Sequence, residues 1–323
     1  MNPSPLLTII IPFWNGYPSL EKHLAGVVEQ ARFVEGGAEV FVVDDAGTID
    51  TERAKSLVER IGSPARWISF PERLGFSGNC NRGAEIAQGR YLLFLNSDMH
   101  LEPGCLTAVL QALASREDLF AVTPAILNLR EGFWESENRA VFRRGVFDLV
   151  FPGRSGSPPA AAGTLRPLAY PCGGALLCRR SHFEAIGGFP EIHAPFYWED
   201  ADLGFRARKM GFGASAECGS AIAHHDHAQS IGSHYTKRQV QVIYERNRLL
   251  FTWVHLEGIG RWASHLAWLL IRTLAAALRL RPAAVALPLA LPRWRSVLAA
   301  RRSHAQARTG VTKNDPARDE NDL

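Results

Sequence analysis

A chain of 323 residues, 46% hydrophobic and 21% charged, can bury a sizeable core and is longer than one minimal domain. The net charge of +4 is mild and its excess sits late, in RPAAVALPLALPRWRSVLAARR, which excludes a wholly basic nucleic-acid protein and points to a local anionic partner. Five scattered cysteines exclude a dense disulfide framework and the paired spacing of a zinc site, and are expected to be reduced thiols in a cytosol.

The opening MNPSPLLTIIIPFWNG lacks a basic n-region, and its apolar run is too short for a signal peptide or a membrane span, so the body of the chain is expected to remain in the cytoplasm. Strand-length apolar runs then alternate with segments of helical period. LLTIII precedes a helix over 19–32, EVFVV one over 51–61, ARWISF one over 79–87, and YLLFL a helix that opens at Glu102-Pro103. This alternation predicts an α/β fold of right-handed βαβ units with a mostly parallel central sheet flanked by helices. Three runs end in polar groups: Pro12 to Asn15, Asp44-Asp45, and Asn96-Ser97-Asp98. A lone Asp after a strand is most often a helix cap or turn former. Recurrence at equivalent strand ends points instead to one ligand at one sheet edge, where such folds bind ligands.

Later segments supply the rest of a candidate site. In YPCGGALLCRR, Gly173 and Gly174 either let a ligand approach closely or form a plain turn. In WEDADLGFRARKMG, Asp202 and Arg206 have the i,i+4 spacing of a helix-surface pair, while Asp200 and Asp202 point about 200° apart, so only one can face a ligand. AHHDHAQS holds three histidines within four residues, but adjacent strand residues face opposite ways and no cysteine lies at ligand spacing, which disfavours zinc. Arg246 and Arg248, in YERNRLLF, are available for phosphate or acidic-acceptor contacts, with at least one expected on a solvated face. Residues 261–280, RWASHLAWLLIRTLAAALRL, place Arg261, His265, Arg272 and Arg279 within about 40° of one another on a helix otherwise rich in Leu, Ala, Ile and Trp. That narrow basic stripe suits a helix lying on an anionic membrane surface; the competing reading is a helix packed on the catalytic body or on a second subunit. The expected organisation is a catalytic domain over 1–250, a C-terminal amphipathic helical region over 251–305 and a polar, disordered tail over 306–323.

Taken in order, TIIIPFWNGYPSLEKHL, VFVVDDAGTID, RLGFSGNCNRGAEIAQGRYLLFLNSD, PCGGALLCRR, IGGFPE and FYWEDADLGFRARKMG resemble the inverting nucleotide-sugar glycosyltransferases of family 2, over roughly residues 7–248. The general likeness is to bacterial transferases of cell-surface polysaccharides, including rhamnosyltransferases. The resemblance implies the GT-A fold and a UDP-, GDP- or dTDP-linked sugar donor. The donor would be bound by Pro12, Asn15, Asp45, Gly75, Asn79, Asn96 and Ser97. Asp98 matches the last carboxylate of the family's metal motif, with Asn96 in place of the first, and would hold Mg²⁺ or Mn²⁺; His225, five residues before Ser230, fits best as the histidine that reaches the metal or the phosphate, with His224 as the alternative. One carboxylate can serve a hard cation when a diphosphate and waters supply the remaining oxygens. Asp200 would be the base that deprotonates the acceptor hydroxyl, with Glu199 beside it, and Gly173, Gly174 and Trp198 would meet a glycan or lipid-linked acceptor. These expectations place the enzyme on the inner face of the cell membrane. Two other readings are a nucleotidyltransferase, for which no early GxGxR-like loop is present, and a non-catalytic sugar-binding module, against which Asp45, Asp98 and Glu199-Asp200 count.

Overall fold

The computed structural model describes residues 4–227, 231, 234–278 and 282–310; Ser230, Arg279 and residues 311–323 of the expected tail lie outside them. The first part of the chain forms β1 (Leu7–Phe13), α1 (Tyr17–Arg32), β2 (Ala38–Asp44), α2 (Thr51–Ile61), β3 (Ala65–Ser69), α3 (Gly75–Glu85), β4 (Tyr91–Leu95), β5 (Met99–Leu101) and α4 (Cys105–Ala114). β4 is buried at all five positions, as a strand covered on both faces must be. α1 buries Leu20, Leu24, Val27, Val28 and Ala31, the single apolar stripe that its period of 3.6 allows.

The second part adds β6 (Leu119–Asn128), β7 (Phe133–Trp134), β8 (Arg139–Arg143), β9 (Val146–Val150), β10 (Leu165–Leu168), β11 (Ala175–Arg179), α5 (Arg180–Ala185), α6 (Glu199–Lys209) and β12 (Ala214–His225). The main sheet runs β10-β12-β6-β11-β4-β1-β2-β3, with β5 and β7 attached at β12 and β6. β3, β2, β1 and β4 are mutually parallel, β11 is antiparallel to both β4 and β6, and β12 returns parallel to β6. Helices α1, α2 and α4 cover one face, while α3, α5 and α6 cover the other. The chain leaves β1 for β2 on one side and comes back to β4 on the other. The crevice between the carboxyl ends of β1 and β4 is therefore the switch point at which an open α/β sheet binds its ligand.

Four helices close the described chain: α7 (Lys237–His255), α8 (Ile259–Leu278), α9 (Pro282–Ala290) and α10 (Trp294–Gly310). α7 begins on a capping box, in which the Thr236 side chain accepts from the Gln239 N–H and the Gln239 side chain reaches back to the Thr236 N–H. It runs unbroken through residue 250, so the expected domain boundary falls inside a helix, and α10 likewise passes residue 305. Leu249, Leu250, Trp253 and Val254 of α7 share an apolar cluster with Ala286 and Ala290 of α9 and Val297 of α10. The β8–β9 hairpin packs into the same region. At its turn Gly145 has φ of +75°, and a Cβ there would come within 2.7 Å of the Trp268 Cβ, so α8 sits directly against glycine backbone.

α8 is oriented differently from the expectation. His265, in the basic stripe, is 1% exposed, accepts from Trp253 Nε1 at 2.8 Å and bonds the Gly145 carbonyl at 2.6 Å. Arg272 donates to Glu245 at 2.8 Å. The polar stripe is thus turned toward the protein, where it finds partners, and the outer face is apolar: Leu266, Leu270 and Leu274 are 61%, 63% and 58% exposed. No helix among the described residues is long and apolar enough to cross a membrane.

Candidate active site

A cleft of about 930 Å³ opens at the carboxyl ends of the parallel strands. Pro12, Asp45, Gly75, Asn79, Asn96, Ser97, Asp98, Gly173, Gly174, Trp198, Glu199, Asp200 and His225 all line it. Asn15 does not. Its side chain accepts from the N–H groups of Thr48 and Ile49 at 2.8 and 2.9 Å, which makes it the anchor of the loop after β2 rather than a cleft residue.

The wall beside β1 and β2 combines structural and ligand-facing groups. Asp45 is buried, and its carboxylate accepts from the N–H groups of Leu74 and Gly75, so it also does the turn residue's ordinary work by tying down the start of α3. Burial pushes its carboxyl up, while those two N–H groups and Arg73 pull the other way. Asn79 is held similarly, donating to the Val43 carbonyl at 2.7 Å. The sequence reading missed Trp14 and Arg73. The Arg73 guanidinium lies 3.6 Å from the centre of the Trp14 ring and 3.8 Å from Asp45, and donates to the Tyr235 hydroxyl at 3.0 Å. This is a flat cation–aromatic surface at the mouth of the cleft.

At the end of β4, Asp98 faces His225. Asp98 Oδ1 is 3.2 Å from His225 Nε2, whereas His224 turns to the other side of β12 and meets Glu102 at 3.1 Å. The period-two alternation of a strand thus resolves which histidine reaches the cleft. Burial alone would lower His225, but Asp98 and Glu135 outweigh it and push it up to about 10. An imidazolium proton then sits between two groups that are both ordinary ligands of a divalent cation. A bound cation would replace that proton, so the donor set fits the metal that the family pattern implies. Asn96 and Ser97 line the cleft, and the Asn96 N–H donates to the Gly174 carbonyl at 2.9 Å, which joins the Asp98 corner to the glycines before β11.

The N-terminus of α6 adds the carboxylates on the far side of these glycines. Asp200 Oδ2 accepts from the Gly173 N–H at 3.0 Å, and Oδ1 from the Ala201 N–H at 2.7 Å. A Cβ at Gly173 would lie 3.2 Å from Asp200 Oδ2, so a glycine there allows this contact. Burial pushes the Asp200 carboxyl up and the two N–H groups bring it partly down. For Glu199, burial and the Asp200 charge push the carboxyl well up, against one backbone hydrogen bond that pulls it down. Glu199 Oε2 and Trp198 Nε1 are buried with no hydrogen-bond partner among the described residues, and both residues line the cleft. Unsatisfied buried polar atoms of this kind call for a ligand. Tyr197 and Trp198 have φ of 73° and 78°, a strained conformation for aromatic residues. It is held by Asn247, whose Nδ2 reaches the carbonyls of His193, Phe196 and Tyr197.

Three other expectations change. Asp202 and Arg206 do pair, at 2.8 Å, but in the interior and not on a helix surface, with His193 as a further partner of Asp202 at 2.9 Å. Arg246 is buried and donates to the Ala194 carbonyl, supporting the Tyr197 segment. Arg248 donates to the Phe147 carbonyl and pairs with Asp148 at 3.2 Å. Neither arginine lines the cleft.

The family model for glycosyl transferase family 2 matches residues 8–187, a stretch that contains all of β1 but its first residue, β2 to β4, Asp45, Asp98 and the paired glycines. The chain belongs to this family. Among relatives, an N-acetylglucosaminyl-diphospho-decaprenol L-rhamnosyltransferase of Mycobacterium tuberculosis is 25% identical over 290 residues, covering 84% of this chain and 91% of its own. Two solved structures share the fold. The mannosyltransferase PcManGT of Pyrobaculum calidifontis, in complex with GDP-Man and Mn²⁺, matches with a TM-score of 0.52 and 17% identity, over 94% of this chain and 87% of that one. GalNAc-T7 with UDP, GalNAc and Mn²⁺ matches with a TM-score of 0.58 and 12% identity, over 77% of this chain and 48% of that one. This family 2 protein is a glycosyltransferase that draws on a nucleotide-sugar donor.

Proposed function

We propose that the enzyme transfers a sugar with inversion, by a single displacement, from a nucleotide-diphosphate donor to a lipid-linked glycan acceptor in the assembly of a cell-surface polysaccharide. The observation that carries this reading is the division of labour within one cleft: Asp98 and His225 face each other after β4, and a backbone-anchored Asp200 stands next to Glu199, whose carboxyl burial and the Asp200 charge push well up. The acceptor hydroxyl loses its proton to Asp200 as its oxygen closes on the anomeric carbon, and the bond from that carbon to the diphosphate oxygen breaks on the opposite face. Asp98 and His225 hold the divalent cation, which when bound offsets the charge that develops on the leaving diphosphate. Trp198 Nε1 and Glu199 Oε2, both without a hydrogen-bond partner among the described residues, orient sugar hydroxyls. Incubation with UDP-, GDP- and dTDP-sugars, followed by NMR of the product's new anomeric centre, tests the mechanism. Retention of the donor's configuration would overturn it.

A site with one carboxylate and one imidazole favours Mn²⁺ over Mg²⁺, because nitrogen ligands suit the softer ion. Asp98→Ala is expected to abolish the Mn²⁺ dependence of nucleotide binding while thermal unfolding stays close to wild type, since the residue lies at a strand end outside the core. Isothermal titration with and without Mn²⁺ reads the first quantity and a thermal scan the second, and an unaltered metal dependence would remove Asp98 from the metal site.

The lipid-linked acceptor is suggested by the mycobacterial relative, whose name includes a decaprenol diphosphate. The outer face of α8 supports it. Leu266, Leu270 and Leu274 recur every fourth residue, and exposed Leu289, Leu291, Trp294 and Leu298 follow on the next helices with exposed Arg295 and Arg302. An apolar face flanked by cations suits an anionic bilayer interface. Replacing Leu270 and Leu274 with Glu should release the protein from vesicles of phosphatidylglycerol without changing nucleotide binding. Equal co-sedimentation of both forms would assign that face to a second protein chain instead.

A further inference from the structure

Glu135 has no part in the chemistry above, yet it sits directly behind His225. Its Oε1 lies 2.5 Å from His225 Nδ1, and its Oε2 lies 2.8 Å from His227 Nε2 and accepts from Asn128 Nδ2 at 3.0 Å. His225 turns its other ring nitrogen to Asp98, 3.2 Å away. The carboxylate is well fixed. The Glu135 N–H donates to the Ile126 carbonyl, and the Asn128 side chain accepts from the N–H groups of Arg130 and Glu131, pinning the β6–β7 turn. The rings of His225 and His227 stack at 3.6 Å, which fixes the plane of His225 as well.

An imidazole can ligate through either nitrogen, and the hydrogen bond made by one decides which nitrogen is left for the metal. A carboxylate held against Nδ1 keeps the proton there and leaves the Nε2 lone pair pointing at Asp98. Carboxylates placed this way raise the basicity of a ligating histidine and fix its orientation. The competing geometry is direct ligation, since Glu135, His225 and His227 each offer a ligand atom within 4.8 Å of the others. Against it, both oxygens of Glu135 are already engaged, by His225, His227 and Asn128. We infer that Glu135 is a positioning residue that acts on the metal only through His225, as the carboxylate of an Asp98–metal–His225–Glu135 relay. The inference rests on the metal reading of Asp98 and His225.

The test is a double-mutant cycle on the full chain, with Mn²⁺ titrated in the presence of UDP or of GDP and free Mn²⁺ read by electron paramagnetic resonance. Glu135→Gln should weaken Mn²⁺ binding by about 10- to 100-fold and leave metal-free nucleotide binding unchanged. In a His225→Ala background the same substitution should have no further effect. An additional loss in that background would show that Glu135 contacts the metal directly or shapes the cleft at large, and would overturn the relay. Unchanged affinity in Glu135→Gln, with a weakened His225→Ala, would overturn it too while sparing the metal site. Unchanged affinity in His225→Ala would remove both. Should Glu135→Gln fail to fold, Glu135→Asp, which retracts the carboxylate by one methylene, replaces it in the cycle with a smaller expected loss.

Discussion

Asp200→Asn is expected to lower sugar transfer by about 10²- to 10⁴-fold while nucleotide-sugar binding persists, because it removes the proton acceptor and keeps the side chain's size. Stability should fall modestly, by roughly 1–3 kcal/mol, because one of the two backbone N–H groups on the carboxylate loses its acceptor. The pH profile provides a second reading. A base must be ionised to act, and burial raises the Asp200 pKa, so wild-type transfer should fall on the acid side at a pH above the usual carboxylate range. Residual transfer by Asp200→Asn should lose that limb. Single-turnover rates across pH measure both, and near wild-type transfer by the variant would exclude Asp200 as the base.

Asp202→Asn should do the reverse, losing stability before chemistry. Burial disfavours the Asp202 charge, and His255, His193 and Arg206 outweigh burial to hold its carboxyl well below the usual range. Burial pushes His255 itself down to about 4, so the fixed positive charge of the group is Arg206. That guanidinium also donates to the carbonyls of Ile186 and Gly188 and cannot follow a weakened partner. Removing one charge of such a buried pair costs about 3–5 kcal/mol. With a depressed pKa, the stabilisation is present above the unfolded-state value and is lost as pH falls through the folded one. Urea denaturation at neutral pH should therefore show a large loss in Asp202→Asn that narrows toward low pH. A neutral-pH midpoint equal to wild type would show that the pair contributes no net stability.

The two neighbouring aspartates illustrate how far the sequence could be read. Their opposed directions on a helix follow from its period, and the strand-end positions of Asp45 and Asp98 follow from the βαβ alternation. The preference for His225 over His224 came from its spacing to Ser230, and the register of β12 is what turns His225 to Asp98 and His224 to Glu102. Glu135 left no signal, because its meaning depends on a histidine 90 residues away. Arg246 looked like a phosphate ligand because an arginine's charge is visible in sequence and its burial is not. The same gap explains α8. The periodicity of 261–280 identifies two faces, but only Trp253, Gly145 and Glu245 decide that the polar one is inward.

The Asn247 side chain that braces Tyr197 and Trp198 belongs to α7, the helix whose neighbouring residues Leu249, Leu250, Trp253 and Val254 are covered by α9 and α10. The aromatic turn next to the carboxylate pair and the seat of the last helices are therefore two sides of one rod. A lineage could not trade this C-terminal region for another as an interchangeable cassette. A replacement would have to bring its own match for that apolar side of α7, or the turn ahead of Glu199 would relax out of its left-handed conformation. Inheritance should thus keep the Glu199–Asp200 pair and the terminal helices together as one unit of descent.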